Sequence, residues 1–162
     1  KLIPYFEALK DEYFIVTIED MLLMKPIDIN MFDKIVEACK KYDADKVILY
    51  DVRSRSDPLE SGFSVYRQNA TYRTTLHPSI WRKDYFLRYL YPNMSPWSFE
   101  CDNMSEATND GAFILTIDQD GSFFDCINVY SHGEVSNRTA DRRLPEDMIV
   151  ILNGIKAVRS FE

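Results

Sequence analysis

Three groups of residues in this chain have types and settings that can do chemistry. Glu19 and Asp20 follow directly on the apolar, β-prone run of residues 13–18. Ligands of open α/β sheets bind outside the carboxyl ends of strands. Two carboxylates there suit Mg2+ or Mn2+, hard cations that prefer oxygen ligands and neutralise a diphosphate leaving group. The competing reading is a solvated acidic turn. Trp81 and Trp97 offer flat apolar rings with a polar edge, suited either to stacking on a sugar face or to filling a core. Arg82 and Lys83 can form charge-assisted bonds to phosphate, or can stand on the solvated face of a helix.

Other motifs carry less. Asp118-Gln119-Asp120-Gly121 has the composition of a hairpin turn. It also matches the start of a calcium loop, but Val129 stands where the bidentate twelfth ligand belongs. His77 and His132 belong to no HExxH pair, and His132 is kept only as a metal candidate after the last expected strand. The five glycines form no G-x-G-x-x-G or Walker A loop, and no G-x-S-x-G occurs. Dinucleotide redox chemistry, mononucleotide hydrolysis and serine hydrolysis thereby lose their usual anchors.

The elements that must position these residues follow from periodicity and caps. Residues 13–18 read as a strand buried on both faces, ending at Glu19. After Pro26, Asp28 or Asn30 caps a helix whose apolar stripe is Phe32, Ile35, Val36 and Cys39, and which ends near Tyr42. Residues 46–50 form a second buried strand, and strand, helix, strand predicts a parallel pairing. Residues 51–62 read as an exposed loop, and 63–75 as a bent strand or a hairpin. From Pro78, residues Ile80, Trp81, Phe86, Leu87, Leu90 and Tyr91 recur at helical spacing as far as Pro92. Ser95-Pro96 supplies an N-cap and a first-turn proline for the next helix. Residues 112–117 and 122–130 are expected to pair through the turn at Asp118, and 144–153 to form a last helix. The sum is one α/β domain over residues 1–162, with a mixed, partly parallel sheet flanked by helices and a C-terminal β-hairpin.

The least generic stretch is Thr74-Thr75-Leu76-His77-Pro78-Ser79-Ile80-Trp81-Arg82-Lys83-Asp84-Tyr85-Phe86-Leu87, followed by Ser95-Pro96-Trp97-Ser98-Phe99-Glu100. It resembles a segment that recurs in bacterial and viral glycosyltransferase-like proteins of the GT-A type, in which Leu-x-Pro-x-Ile-Trp starts a helix and Pro-Trp-x-Phe-Glu follows. Leu76, Pro78, Ile80, Trp81, Pro96, Trp97, Phe99 and Glu100 match residue by residue. A weaker likeness reaches back to residues 13–26, where Glu19-Asp20 stands in the place of the Asp-x-Asp motif of the GT-A fold. The resemblance implies transfer of a sugar from a nucleotide-diphosphate donor to an acceptor. Asp20, helped by Glu19, would hold the metal, and Glu100 would be the base that takes the acceptor's proton. It also implies that the βα unit that cradles the nucleotide precedes Lys1. A relative that binds a glycan or a protein without catalysis is the alternative.

Composition bounds these readings. With 162 residues, 46% of them apolar, the chain can bury one sizeable core. The formal charge of -7 repels a phosphate backbone, so nucleic acid is not an expected partner. The apolar run at 148–152 is far shorter than the roughly 20 residues a bilayer span requires. Cys39, Cys101 and Cys126 form no CxxC pair, which points to reduced thiols and a cytoplasmic setting. Four Asn-x-Ser/Thr matches, at Asn69, Asn93, Asn103 and Asn137, are then chance. Residues 1–5 carry neither an initiator Met nor the pattern of a signal peptide, so the chain is expected to begin inside a longer protein. An open edge at residues 13–18 would seek another strand, from a partner segment or a second copy in a homo-oligomer.

Overall fold

The computed structural model describes residues 2–18, 21–50, 52–60, 62–118, 124–128, 130–131 and 134–135. Helix α1 (Leu2–Glu7) leads to strands β1 (Tyr13–Val16) and β2 (Met21–Leu23), and α2 (Ile29–Lys41) precedes β3 (Lys46–Ile48). A short 3-10 turn at Arg53–Arg55 opens into β4 (Ser56–Glu60) and β5 (Phe63–Tyr66). Strand β6 (Ser79–Arg82) runs directly into α3 (Lys83–Arg88), followed by α4 (Pro96–Asp102), α5 (Met104–Ala107) and β7 (Ile114–Ile117). Short strands β8 (Cys126–Asn128), β9 (Tyr130–Ser131) and β10 (Glu134–Val135) complete the described elements. None of the helices among the described residues is long and apolar enough to cross a membrane.

Six strands form one mixed sheet in the order β1-β6-β3-β7-β5-β4, in which only β3 and β7 pair in parallel. This sheet belongs to a compact unit made of the described residues up to Ile18 and of Pro26–Asp125. A second unit takes Met21–Lys25 and the described residues from Cys126 onward. It holds two antiparallel pairs, β2 with β8 and β9 with β10.

Local chemistry explains the helices. Asp28 caps α2 by accepting from the Asn30 amide at 3.0 Å. Met31, Ile35, Ala38 and Cys39 are the buried stripe, with Phe32 and Val36 half-buried beside it. Helix α4 opens with a full capping box, in which Ser95 Oγ accepts from the Ser98 amide and Ser98 Oγ accepts from the Ser95 amide. Ser95→Ala is expected to cost about 1 kcal/mol, read as a lower urea midpoint at unchanged slope.

Strands depart from the sequence reading at five places. Ser79, Ile80 and Trp81 were expected at the head of a helix, but they are extended and buried, because β6 lies between β1 and β3 and must be covered on both faces. Helical geometry begins only at Lys83. Consequently β1 and β3 run in the same direction without pairing, and the parallel partner of β3 is β7. Among the described residues β1 is a half-exposed edge, with Ile15 43% exposed, and not a strand buried on both faces. Residues 56–60, expected within a loop, form the opposite edge, where Asp57, Pro58 and Glu60 are tolerated and a register shift lies between Pro58 and Glu60. Among the described residues, 114–117 and 126–128 do not pair with each other as the hairpin expected between 112–117 and 122–130. All four residues of β7 are buried and need a strand on each side, which β3 and β5 provide, and β8 pairs with β2. The helix expected at 144–153 lies outside the described residues.

The core on one face of the sheet is aromatic. Trp81 packs on Tyr85, Phe86 and Phe99 at centroid distances of 5.6, 5.3 and 5.8 Å. Phe6 reaches Phe14 and Phe86, tying α1 to β1 and α3. Inside this apolar shell lies an ion pair, Arg73 to Asp110 at 2.8 Å, with side chains 1% and 5% exposed. Asp110 also accepts from the hydroxyls of Tyr85 and Tyr89 at 2.9 and 2.8 Å and from the Ala112 amide. Arg73 donates in addition to the carbonyls of Arg67 and Ala112.

Candidate functional site

Strand directions place the site. β6 runs antiparallel to both β1 and β3, and β7 runs parallel to β3. The carboxyl ends of β1, β3 and β7 therefore share one rim of the sheet, together with the start of β6, where Ser79 is level with both Val16 and Ile48. This is the rim at which open α/β sheets take their ligands.

Residues 73–76 approach this rim on the way into β6. The preceding turn holds Tyr72 at φ 62, a left-handed conformation that bulky residues seldom adopt. Tyr66 Oη donates to the Thr71 carbonyl at 2.7 Å, and the Thr75 amide donates to the Tyr72 carbonyl at 3.1 Å. Backbone strain of this kind is retained where the surroundings over-determine it, and it concentrates at functional sites.

Glu100, on α4, is half-buried and bound to that segment by three hydrogen bonds. Its carboxylate Oε1 accepts from Thr75 Oγ1 at 3.0 Å and from the Leu76 amide, and its carbonyl accepts from Thr74 Oγ1 at 3.1 Å. Among the described residues no donor bonds to Oε2. Tyr50, just beyond β3, packs its ring 5.2 Å from that of His77. Burial pushes the Tyr50 hydroxyl up to about 12, against a hydrogen bond with Thr75 that lowers it. A carboxylate, a phenol and an imidazole thus gather around the entry to β6.

Beneath them lies Lys46, completely buried in β3. Its Nζ donates to the carbonyls of Arg73 and Thr75 at 3.0 and 2.7 Å and stands 3.8 Å from the centre of the Trp81 ring. Burial pushes this ammonium well below the ordinary lysine range, Glu100 pulls it back up, and Arg73 pushes it further down.

The other residues singled out in the sequence are dispersed. Trp81 is 0% exposed and fills the core, so no face of its ring is open to a sugar; Trp97, on the outer side of α4, is 66% exposed. Arg82 is engaged by Tyr13 Oη at 2.6 Å and by Asp43, Glu12 and Asp45. Lys83 Nζ donates to the Leu9 carbonyl at 3.0 Å. Arg82 is thus tied to β1 and to the turn between α2 and β3, and Lys83 to the turn after α1, rather than standing open to a phosphate. Asp118, at the end of β7, accepts from Ser64 Oγ at 2.6 Å, and its buried Oδ1 has no partner among the described residues. Glu19, Asp20, Gln119, Asp120 and His132 lie outside the described residues, among which no cluster of metal-ligating side chains occurs.

Lys46 and the Arg73–Asp110 pair were not singled out by sequence reasoning, and Thr74 and Thr75 stood at the head of the least generic stretch without a role of their own. Comparison with protein-family models, curated proteins and solved structures returns no match in any of the three.

Proposed function

We propose that this chain is a glycosyltransferase-like domain of the GT-A type, transferring a sugar from a nucleotide-diphosphate donor to an acceptor hydroxyl. The observation that carries this reading is the setting of Glu100. One oxygen is anchored by Thr75 and Leu76, and no described donor bonds to the other, at the ligand-taking rim of a mixed α/β sheet. A general base must be held within hydrogen-bond reach of the proton it takes while keeping a free lone pair for it.

In the reaction the acceptor hydroxyl gives its proton to Glu100 Oε2 as its oxygen bonds to the anomeric carbon. The bond from that carbon to the donor phosphate breaks, and its electron pair leaves with the nucleoside diphosphate. On this reading the carboxylates of Glu19 and Asp20 would hold Mg2+ or Mn2+, and the metal would supply the positive charge that a leaving diphosphate requires. Trp97, exposed one turn before Glu100, is the aromatic ring available to an acceptor sugar. Trp81 has no part in recognition on this reading, and Arg82 and Lys83 are already engaged.

Thermal unfolding with a panel of nucleotide-diphosphate sugars tests the proposal. A donor at 100 times its dissociation constant is expected to raise the midpoint by about 5–10 °C. The rise should require Mn2+ or Mg2+ and vanish in Asp20→Ala. Should every donor leave the midpoint unmoved, the non-catalytic glycan- or protein-binding reading replaces this one.

A further inference from the structure

Lys46 is the largest unexplained expense in the core. A fully buried ammonium loses its hydration, and replacing buried charge by an apolar side chain of similar volume is often neutral or stabilising. Methionine would fill the same space beside Trp81, so packing does not demand a lysine. What methionine would not supply is the two bonds from Nζ to the carbonyls of Arg73 and Thr75.

Those bonds fall on the segment that grips Glu100. Residues 73–76 pass between Lys46 on β3 and Glu100 on α4, with Thr74 and Thr75 0% and 4% exposed. On one side the segment is fastened by Lys46 at two carbonyls. On the other, Thr74, Thr75 and Leu76 each donate to Glu100. Thr75 is the shared member, accepting from Lys46 through its carbonyl and donating to Glu100 through its hydroxyl.

We infer that Lys46 is a positioning residue for Glu100: by clamping the carbonyls of Arg73 and Thr75 it aims the Thr75 hydroxyl and the Leu76 amide at Oε1 and leaves Oε2 for an incoming proton. The clamp deepens the catalytic reading, because the purpose of a free Oε2 rests on Glu100 acting as the base. A site of this kind works only when its supporting shell holds the acting group within about 0.5 Å of its productive place. Lys46 supplies that support from the interior, where no solvent competes for its bonds.

The Leu76 amide proton reports the arrangement, since a bond to a carboxylate moves its NMR signal downfield. In Lys46→Met the signal is expected to shift upfield toward its place in Glu100→Ala. Thr75→Val should cause the same loss, and Thr75→Ser should restore the wild-type position. Ile35→Val, which trims the core under α2, should lower stability without moving the signal, so a general loosening is told apart from loss of the clamp. An unmoved Leu76 signal in folded Lys46→Met overturns the inference. If Lys46→Met does not fold, the unaltered protein decides. Its Lys46 Nζ protons should be protected from exchange and should show coupling across hydrogen bonds to the carbonyl carbons of residues 73 and 75, and fast exchange overturns the inference. These signals are read without donor, metal or acceptor. An inactive protein with the expected shifts loses the transferase reading and keeps the clamp, and an active protein with unmoved signals does the reverse.

Discussion

Asp110→Ala is expected to destabilise the folded chain by about 3–5 kcal/mol, the cost of removing one partner from a buried ion pair. The carboxylate is the hub for Arg73, the hydroxyls of Tyr85 and Tyr89, the Ala112 amide and, through Arg73, the Arg67 carbonyl. Its loss leaves the guanidinium 1% exposed without a counter-charge and two phenols without their acceptor. Against a typical total stability of about 5–15 kcal/mol, the urea midpoint should fall by about a fifth or more, as followed by circular dichroism. The same carboxylate gives an acid limb. Burial by itself raises the Asp110 carboxyl, but the bonds from Tyr89, Ala112, Tyr85 and Arg73 outweigh it and hold it below the ordinary carboxylate value. A group depressed on folding contributes its stability in full above its unfolded pKa, about 3.9 for aspartate, and loses it as pH falls through the lower folded value. Stability should therefore decline below about pH 4, and the part of that decline due to Asp110 should be missing from Asp110→Ala.

Glu100→Gln is expected to slow sugar transfer by about 10²–10⁴-fold, the usual contribution of a positioned general base. Glutamine keeps the shape of the side chain, and its carbonyl oxygen can still accept from Thr75 and Leu76, so the 73–76 segment stays in place. What it loses is the capacity to take a proton. The expected pattern is a fall in kcat with little change in the donor-induced rise of the thermal midpoint. Turnover of Glu100→Gln at the wild-type rate would remove the base from the mechanism. Loss of donor binding alongside the rate would instead mark Glu100 as a strut of the site.

Much of the local structure was legible before any fold was known. Asp28 or Asn30 as the start of α2, of which Asp28 is the cap, Tyr42 as its end, and Ser95-Pro96 as the opening of α4 all follow from caps and first-turn chemistry that act within one helical turn. Ile35 and Cys39 of the apolar stripe of α2 were readable because its period reports one face, while Met31 and Ala38, rather than Phe32 and Val36, complete the buried set. The class, a mixed α/β sheet, followed from short apolar runs alternating with such helices.

The candidate site was only half legible. Glu100 stood out because of the segment around it, as did Leu76, but the grip of residues 74–76 on Glu100 did not, since a hydroxyl or an amide becomes a donor to a carboxylate only when two distant stretches meet. Trp81 illustrates the limit. Its neighbours Ile80, Phe86 and Leu87 fit a helical spacing, yet the chain is extended there, because β1 and β3 both require a partner and β6 provides it. Lys46 is the sharper case. Residues 46–50 read as a buried strand, but only the arrival of the Arg73 and Thr75 carbonyls and the face of Trp81 makes the burial of a lysine there tolerable. The sequence by itself thus determined caps, amphipathic faces and the α/β class, which depend on neighbours along the chain. Strand order, the shared carboxyl rim and the clamp from Lys46 to Glu100 were decided by the tertiary structure, because each depends on hydrogen bonds between residues far apart in sequence.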